Sequence, residues 1–201
     1  VPSSGMEAGV IKNVGRTSED IAAAVREAEQ MAGIKIHSAW VSMSAEHIES
    51  RANSARGKIA HHEVDAEDVQ RVLDQTQAQR STSDTIIATF PNEYLVDEHS
   101  ARHDPRGMCG GVLEARVQLV SGDRMNIQTM VKCVKSAGIE VEGIVFSPFA
   151  SAEACLHEDE EELGVAVVDI GAGVTDVVIR HEGALVHTAV LPLGGQFITQ
   201  D

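Results

Sequence analysis

The stretch from Gly164 to Glu182 limits what this chain can become more than any other. It reads G-V-A-V-V-D-I-G-A-G-V-T-D-V-V-I-R-H-E. An apolar run, Val165–Val168, reaches Asp169, turns at Gly171-Ala172-Gly173 and leaves through Thr175-Asp176 into a second run, Val177–Ile179. Two β-branched runs around a short glycine-rich turn predict a hairpin. Glycines at Gly171 and Gly173 permit positive φ and leave no Cβ, so several amide N–H groups can converge on one anion. Thr175 adds a hydroxyl donor, and Asp169, ending a buried strand, is placed to hold a magnesium-bound water. Those parts suit the terminal phosphates of a nucleotide. A plain hairpin with a flexible turn accounts for the same glycines, because short glycine motifs are weak signals by themselves.

Around this hairpin the chain alternates between two styles. Thr17-Ser18-Glu19-Asp20 is a predicted helix cap; Ile21, Val25, Ala28 and Ala32 recur at helical spacing, and Gly33 ends the helix. From Ile36 the composition shifts. Ile36–Ala45 reads as a half-exposed strand, and His47–Ala60 as a polar second strand. Asp65 caps a helix carrying Val69, Val72, Leu73 and Thr76. Asp84–Asp97 reads as two strands separated by a break at Pro91-Asn92, and His99–Gly111 as a polar loop. Val112–Val120 alternates into a one-sided strand. Strand, strand, helix, strand, strand makes a small α+β unit. After Gly122 the pattern becomes a doubly wound α/β one. Asp123 caps a helix closed by Gly138, Ile139–Phe146 is a strand, and Ser147-Pro148 starts a further helix. The acidic run Glu158–Glu162 is expected to be solvated, with the helix ending before it, since acids are unfavourable at a helix C-terminus.

A chain of 201 residues is one large domain or two small ones, and its net charge of −15 argues against nucleic acid and against direct binding to anionic lipid. Cys109, Cys133 and Cys155 are odd in number and lack a C-x-x-C pair, which fits a reducing compartment. No apolar run is long enough to span a membrane.

D-I-G-A-G-V-T-D resembles the second phosphate loop of the actin-like ATPases. The longer runs E-L-G-V-A-V-V-D-I-G-A-G-V-T-D-V and G-A-L-V-H-T-A-V-L-P-L-G-G-Q-F-I-T-Q-D are similar to the FtsA family of bacterial cell-division proteins. So are G-V-I-K-N, P-N-E-Y-L-V-D and G-I-E-V-E-G-I-V-F-S-P-F-A-S-A, so the resemblance covers essentially the whole chain. It implies an α/β actin-like (ribonuclease-H-like) framework interrupted by a small α+β subdomain. Residues 1–35 and 123–163 would belong to subdomain 1A, 36–122 to the inserted 1C, and 164–201 to the start of 2A.

By motif match, the site residues are Asp169, Gly171, Ala172, Gly173, Val174, Thr175 and Asp176, with Gly194 and Gly195 in a turn near the nucleotide. ATP and Mg²⁺ are the implied cofactors; Asp169 is the implied catalytic residue and holds the magnesium water. Many members have Gly-Gly-Gly-Thr where this chain has Gly171-Ala172-Gly173-Val174, which puts tight phosphate binding in doubt. The family anchors the FtsZ division ring to the cytoplasmic membrane. Its 1C subdomain is implicated in contacts with neighbouring subunits and in recruiting late division proteins. Localisation would be cytoplasmic, peripheral on the inner membrane at the division site. Beginning without Met and stopping at Asp201, the chain is expected to be an internal piece that binds ATP weakly or not at all by itself. The ring-binding and membrane-binding regions are then expected to lie outside it.

Arg51, Arg56 and Lys58 lie on one polar strand of the acidic chain. They read either as ordinary surface charge or as a docking edge for a partner segment or the next subunit. His61-His62 and His99-x-x-x-His103 have poor geometry for a metal, and Cys109 has no base at a recognisable spacing. Two rivals remain. A pilus-assembly adaptor related to FtsA shares the subdomain plan, whereas a sugar kinase needs a catalytic Asp and sugar pocket that are not recognisable here.

Overall fold

Asn13 begins the first helix, one turn earlier than the Thr17–Asp20 run suggests. The computed structural model describes residues 1–78, 83–101 and 104–200. Its first elements are a two-residue ladder, β1 (Met6–Glu7) with β2 (Val10–Ile11), and helix α1 (Val14–Ala32). The Asn13 side chain accepts from the Arg16 amide at 3.0 Å, and Gly33 closes the helix in the left-handed region at φ 70°. Thr17 is buried inside the first turn instead, its hydroxyl donating to the Asn13 carbonyl at 2.9 Å.

Strand β3 (Ser38–Met43) does not join the sheet of the inserted unit, as its position in sequence suggested. It pairs in parallel with β8 (Glu140–Phe146), far along the chain. Ala39, Val41 and Met43 pack with Val141, Ile144 and Phe146 in one core, and that burial decides the pairing.

The inserted unit is β4 (Ile48–Lys58), α2 (Ala66–Ala78), β5 (Asp84–Val96), β6 (His99–Ala101) and β7 (Val112–Asp123). Its antiparallel sheet runs β4-β7-β5-β6, with α2 laid on one face over Val72, Leu113, Ala115 and Val117. As predicted, Asp65 caps α2, accepting from the Asp68 amide at 2.8 Å. Three local expectations fail. Pro91-Asn92 does not break the strand: β5 runs through, with register shifts between Ile86 and Ala88 and between Pro91 and Glu93. A bulge accommodates the residue that lacks an N–H. The loop after β5 contains β6, reached through a tight turn with Asp97 and Glu98 at φ 47° and 72°. And β7 is not one-sided. It lies between β4 and β5, so Glu114 and Gln118 are buried, Glu114 between Arg56 and Arg116, and Gln118 donating to the Ser50 hydroxyl at 2.6 Å.

The chain then returns to the framework through α3 (Arg124–Ser136), capped by Asp123 as predicted, and β8. Helix α4 (Ser147–Cys155) follows, with Pro148 in its first turn. The acidic run does not continue α4. It starts a separate helix, α5 (Glu158–Leu163), where the Glu160 carboxylate accepts from the His157 amide at 3.0 Å. Acids unfavourable at a C-terminus are favourable at an N-terminus. Strands β9 (Val165–Ile170), β10 (Thr175–His181) and β11 (Ala184–Leu191) form an antiparallel sheet ordered β11-β10-β9, followed by α6 (Gly195–Gln200). Val178 and Leu185 of this sheet share one core with Met43, Phe146 and Ile127 of the framework and with Ile48 and Val120 of the insert.

Candidate nucleotide-phosphate site

The predicted hairpin forms in the register Thr175↔Ile170, Asp176↔Asp169, Val177↔Val168. Directly opposed residues on antiparallel strands share a face, so Asp169 and Asp176 stand side by side. Both line a cavity of about 240 Å³, together with Gly9, Ser44, Gly171 and Val174. Each carboxylate receives one serine hydroxyl. Ser151 of α4 donates to Asp169 Oδ2 at 2.7 Å, and Ser44, just after β3, donates to Asp176 Oδ1. Burial raises the Asp176 carboxyl above the ordinary aspartate range; the Ser44 hydrogen bond opposes that shift and the Asp169 charge adds to it.

The turn works differently from the expectation. Neither Gly171 nor Gly173 has positive φ. At Gly171 the missing side chain serves close approach, since a Cβ there would lie 3.0 Å from the Val174 carbonyl oxygen, whereas one on Gly173 would meet Ala8 at 3.4 Å, an ordinary contact. The Gly171 amide donates to the Val174 carbonyl at 2.9 Å, so one loop N–H is spent inside the turn. Thr175 is not a free donor either, since its hydroxyl donates to the Leu193 carbonyl at 2.7 Å. That bond ties the Gly194-Gly195 turn to the loop. The Gly195 and Gln196 amides then donate to the Gly171 and Ala172 carbonyls, each at 2.9 Å. A Cβ on Gly194 would sit 2.5 Å from both carbonyl oxygens. The two glycine turns, distant in sequence, are therefore one structure.

The donor set suits magnesium. Two carboxylates and nearby hydroxyls are hard oxygen ligands, and Mg²⁺ commonly takes one or two carboxylates, keeps several waters and draws its remaining ligands from phosphates. Among the described residues, no group of three or more His, Cys, Asp and Glu is placed to hold an ion by itself. His103 lies outside the described residues, and Cys109 is an exposed free thiol. Ser44 and Ser151 had no signal in the sequence, because nothing local links them to the aspartates.

Arg51, Arg56 and Lys58 are all exposed on β4, an edge strand, but they do not form one patch. The strand is regular across this span, so Arg51 points to the opposite face from Arg56 and Lys58. Arg51 pairs with Glu49 at 2.5 Å, and Arg56 with Glu114 at 2.5 Å.

Similarity to known proteins follows the same two regions. Residues 45–121 match the family model "SHS2 domain inserted in FTSA", and residues 166–201 match "Cell division protein FtsA". Over 201 residues the chain is 42% identical to the Pseudomonas aeruginosa protein named cell division protein FtsA, covering 100% of this chain and 48% of that one. Identity to the Escherichia coli K12 protein of that name is 33%, covering 100% of this chain and 48% of that one. The chain thus spans about half the length of the curated relatives it matches. Among solved structures, a chain of the PilM-PilN type IV pilus biogenesis complex aligns with TM-score 0.66 at 16% identity, over 100% of this chain and 55% of that chain. That likeness concerns the fold. An actin-like framework carrying an SHS2 insert, with sequence similarity running through both, makes this chain a member of the FtsA family.

Proposed function

We propose that this chain supplies the phosphate-loop half of an MgATP site and the partner-recruiting insert of a cell-division protein. The paired carboxylates of Asp169 and Asp176, opening on the cavity beside the Gly171 turn, carry this reading. Bound Mg²⁺ would neutralise charge on the β- and γ-phosphate oxygens. Asp169, held by Ser151, would hold a magnesium-bound water, while the turn and Val174 wall the cavity. Residues 1–35 and 123–163 are assigned to subdomain 1A and 164–201 to the start of 2A. Pairing of β3 with β8 favours opening the inserted 1C subdomain after Met43 rather than at Ile36. In the intact protein, the insert recruits late division proteins and neighbouring subunits. Anchoring of the FtsZ ring to the cytoplasmic face of the membrane is assigned to the part of the relatives' length that this chain does not span.

The test is titration of MgATP into the intact protein and its Asp169→Ala variant. Saturable binding lost in the variant is expected; equal affinity would overturn the role of Asp169. For the insert, cytoplasmic segments of division proteins are titrated against the intact protein, with Arg51, Arg56 and Lys58 each changed to alanine. Because the side chains point to two faces, Arg56 and Lys58 are expected to act together and Arg51 separately.

A further inference from the structure

We propose that Ser44 is a positioning residue for the magnesium side of the phosphate site, acting through Asp176. This rests on the nucleotide reading above and goes further by assigning a role to a residue outside the phosphate motif. Asp176 is 5% exposed, and among the described residues the Ser44 hydroxyl is the one donor that reaches its carboxylate. The bond occupies Oδ1. That bond restrains rotation of the carboxylate, and among the described residues no donor takes Oδ2 of this side chain, which lines the cavity it shares with Asp169.

The arrangement has a built-in symmetry of function. Each of two opposed carboxylates is held by a serine from a different part of the chain, Ser151 from α4 and Ser44 from just after β3. Two carboxylates side by side repel one another, and without such partners each would rotate away from its neighbour. Partners of this kind orient metal-binding carboxylates, and their loss commonly costs about 10- to 100-fold in metal affinity.

The backbone around Ser44 is fitted to the task. Gly9, at φ 77° in the β1–β2 turn, presses against it so closely that a Cβ there would lie 2.0 Å from the Ser44 carbonyl oxygen. Ser44 also sits one residue before the start of the matched SHS2 segment at 45–121. The same hydrogen bond therefore ties the chain's crossing into the insert to the phosphate hairpin.

The experiment compares wild type, Ser44→Ala and Ser44→Thr in the intact protein, each titrated with a fluorescent ATP analogue with Mg²⁺ and with EDTA. Expected for Ser44→Ala is about a tenfold loss of affinity confined to the magnesium-containing titration, with restoration in Ser44→Thr, which keeps the hydroxyl. A purely structural defect would weaken both titrations alike, and that result overturns the proposal. So does wild-type affinity in Ser44→Ala alongside lost affinity in Asp169→Ala, which leaves the nucleotide reading standing. Absence of any saturable binding in the wild type overturns the nucleotide reading and this proposal together.

Discussion

The guanidinium carbon of Arg180 lies 5.6 Å from the centroid of the Phe149 ring, joining the phosphate hairpin to helix α4. Phe149 in turn meets Phe90 of the insert at 4.4 Å between ring centroids. A single side chain of β10 thus bears on the contact between framework and insert. Arg180 is largely buried and also pairs with Glu153 at 2.6 Å and Glu161 at 2.5 Å, although its buried Nε has no partner among the described residues. Arg180→Ala leaves the mostly buried Glu161 carboxylate unpaired, returns the half-exposed Glu153 to water and removes the cation over the ring. A loss of about 1–2 kcal/mol is expected from urea unfolding, below the figure for a fully buried pair because Glu153 is half exposed. Both carboxylates accept from the single nitrogen Nη1, so lysine should restore part of the loss. Unfolding midpoints for Arg180→Ala equal to wild type would show that the cluster carries no stability.

Gly194 is the second predicted point of failure. Its Cβ position collides with the Gly171 and Ala172 carbonyls, which are backbone and cannot swing aside. Gly194→Ala is expected to cost roughly 1–3 kcal/mol through forced backbone shifts. It should also disrupt the two amide bonds from Gly195 and Gln196. Thermal melting measures the first effect and MgATP titration of the intact protein the second. Retained affinity with an unchanged melting temperature would mean that the two turns are not coupled.

Stability of the insert should fall in acid. Burial raises the Asp68 carboxyl, but hydrogen bonds from Arg71 and from the Asp65 and Ala60 amides outweigh it, leaving the group below its usual range. Glu114 behaves alike: burial raises it, and Arg116 and Arg56 lower it further. A carboxyl depressed in the folded state binds fewer protons there than when unfolded, so its contribution is present above the ordinary values of 3.8 and 4.5. It is lost as pH falls through the folded values. Urea midpoints at pH 7 and pH 3 check this, and Asp68→Asn should flatten the difference. A midpoint that holds in acid contradicts it.

Gly143 offers a spectroscopic check. A Cβ there would meet the Trp40 ring at 2.3 Å, but Trp40 is 66% exposed and can move outward. Gly143→Ala is therefore expected to cost less than about 1 kcal/mol. Because Trp40 is the single tryptophan of the chain, its emission should shift to longer wavelength and be quenched more by acrylamide. Unchanged fluorescence would place the ring elsewhere.

What could be read from the residues in order was whatever local chemistry decides. The hairpin at Asp169–Asp176, the stop at Gly33, the caps at Asp65 and Asp123 and the helix start at Ser147-Pro148 all depend on neighbours a few positions away. They formed where predicted. Local competition explains the early start at Asn13, which caps as well as threonine does. The rest was settled by contacts across long separations. Nothing near β3 says that it will pair with β8, nothing near Glu114 says that Arg56 will cover it, and nothing near Thr175 says that Leu193 will take its hydroxyl. Ser44 and Asp176 are 132 residues apart, and their bond exists because one buried core brings the end of β3 and the start of β10 together. Propensity and capping act over single turns, whereas burial of apolar surface acts on the whole chain at once, so the sequence set the elements and tertiary packing set the site.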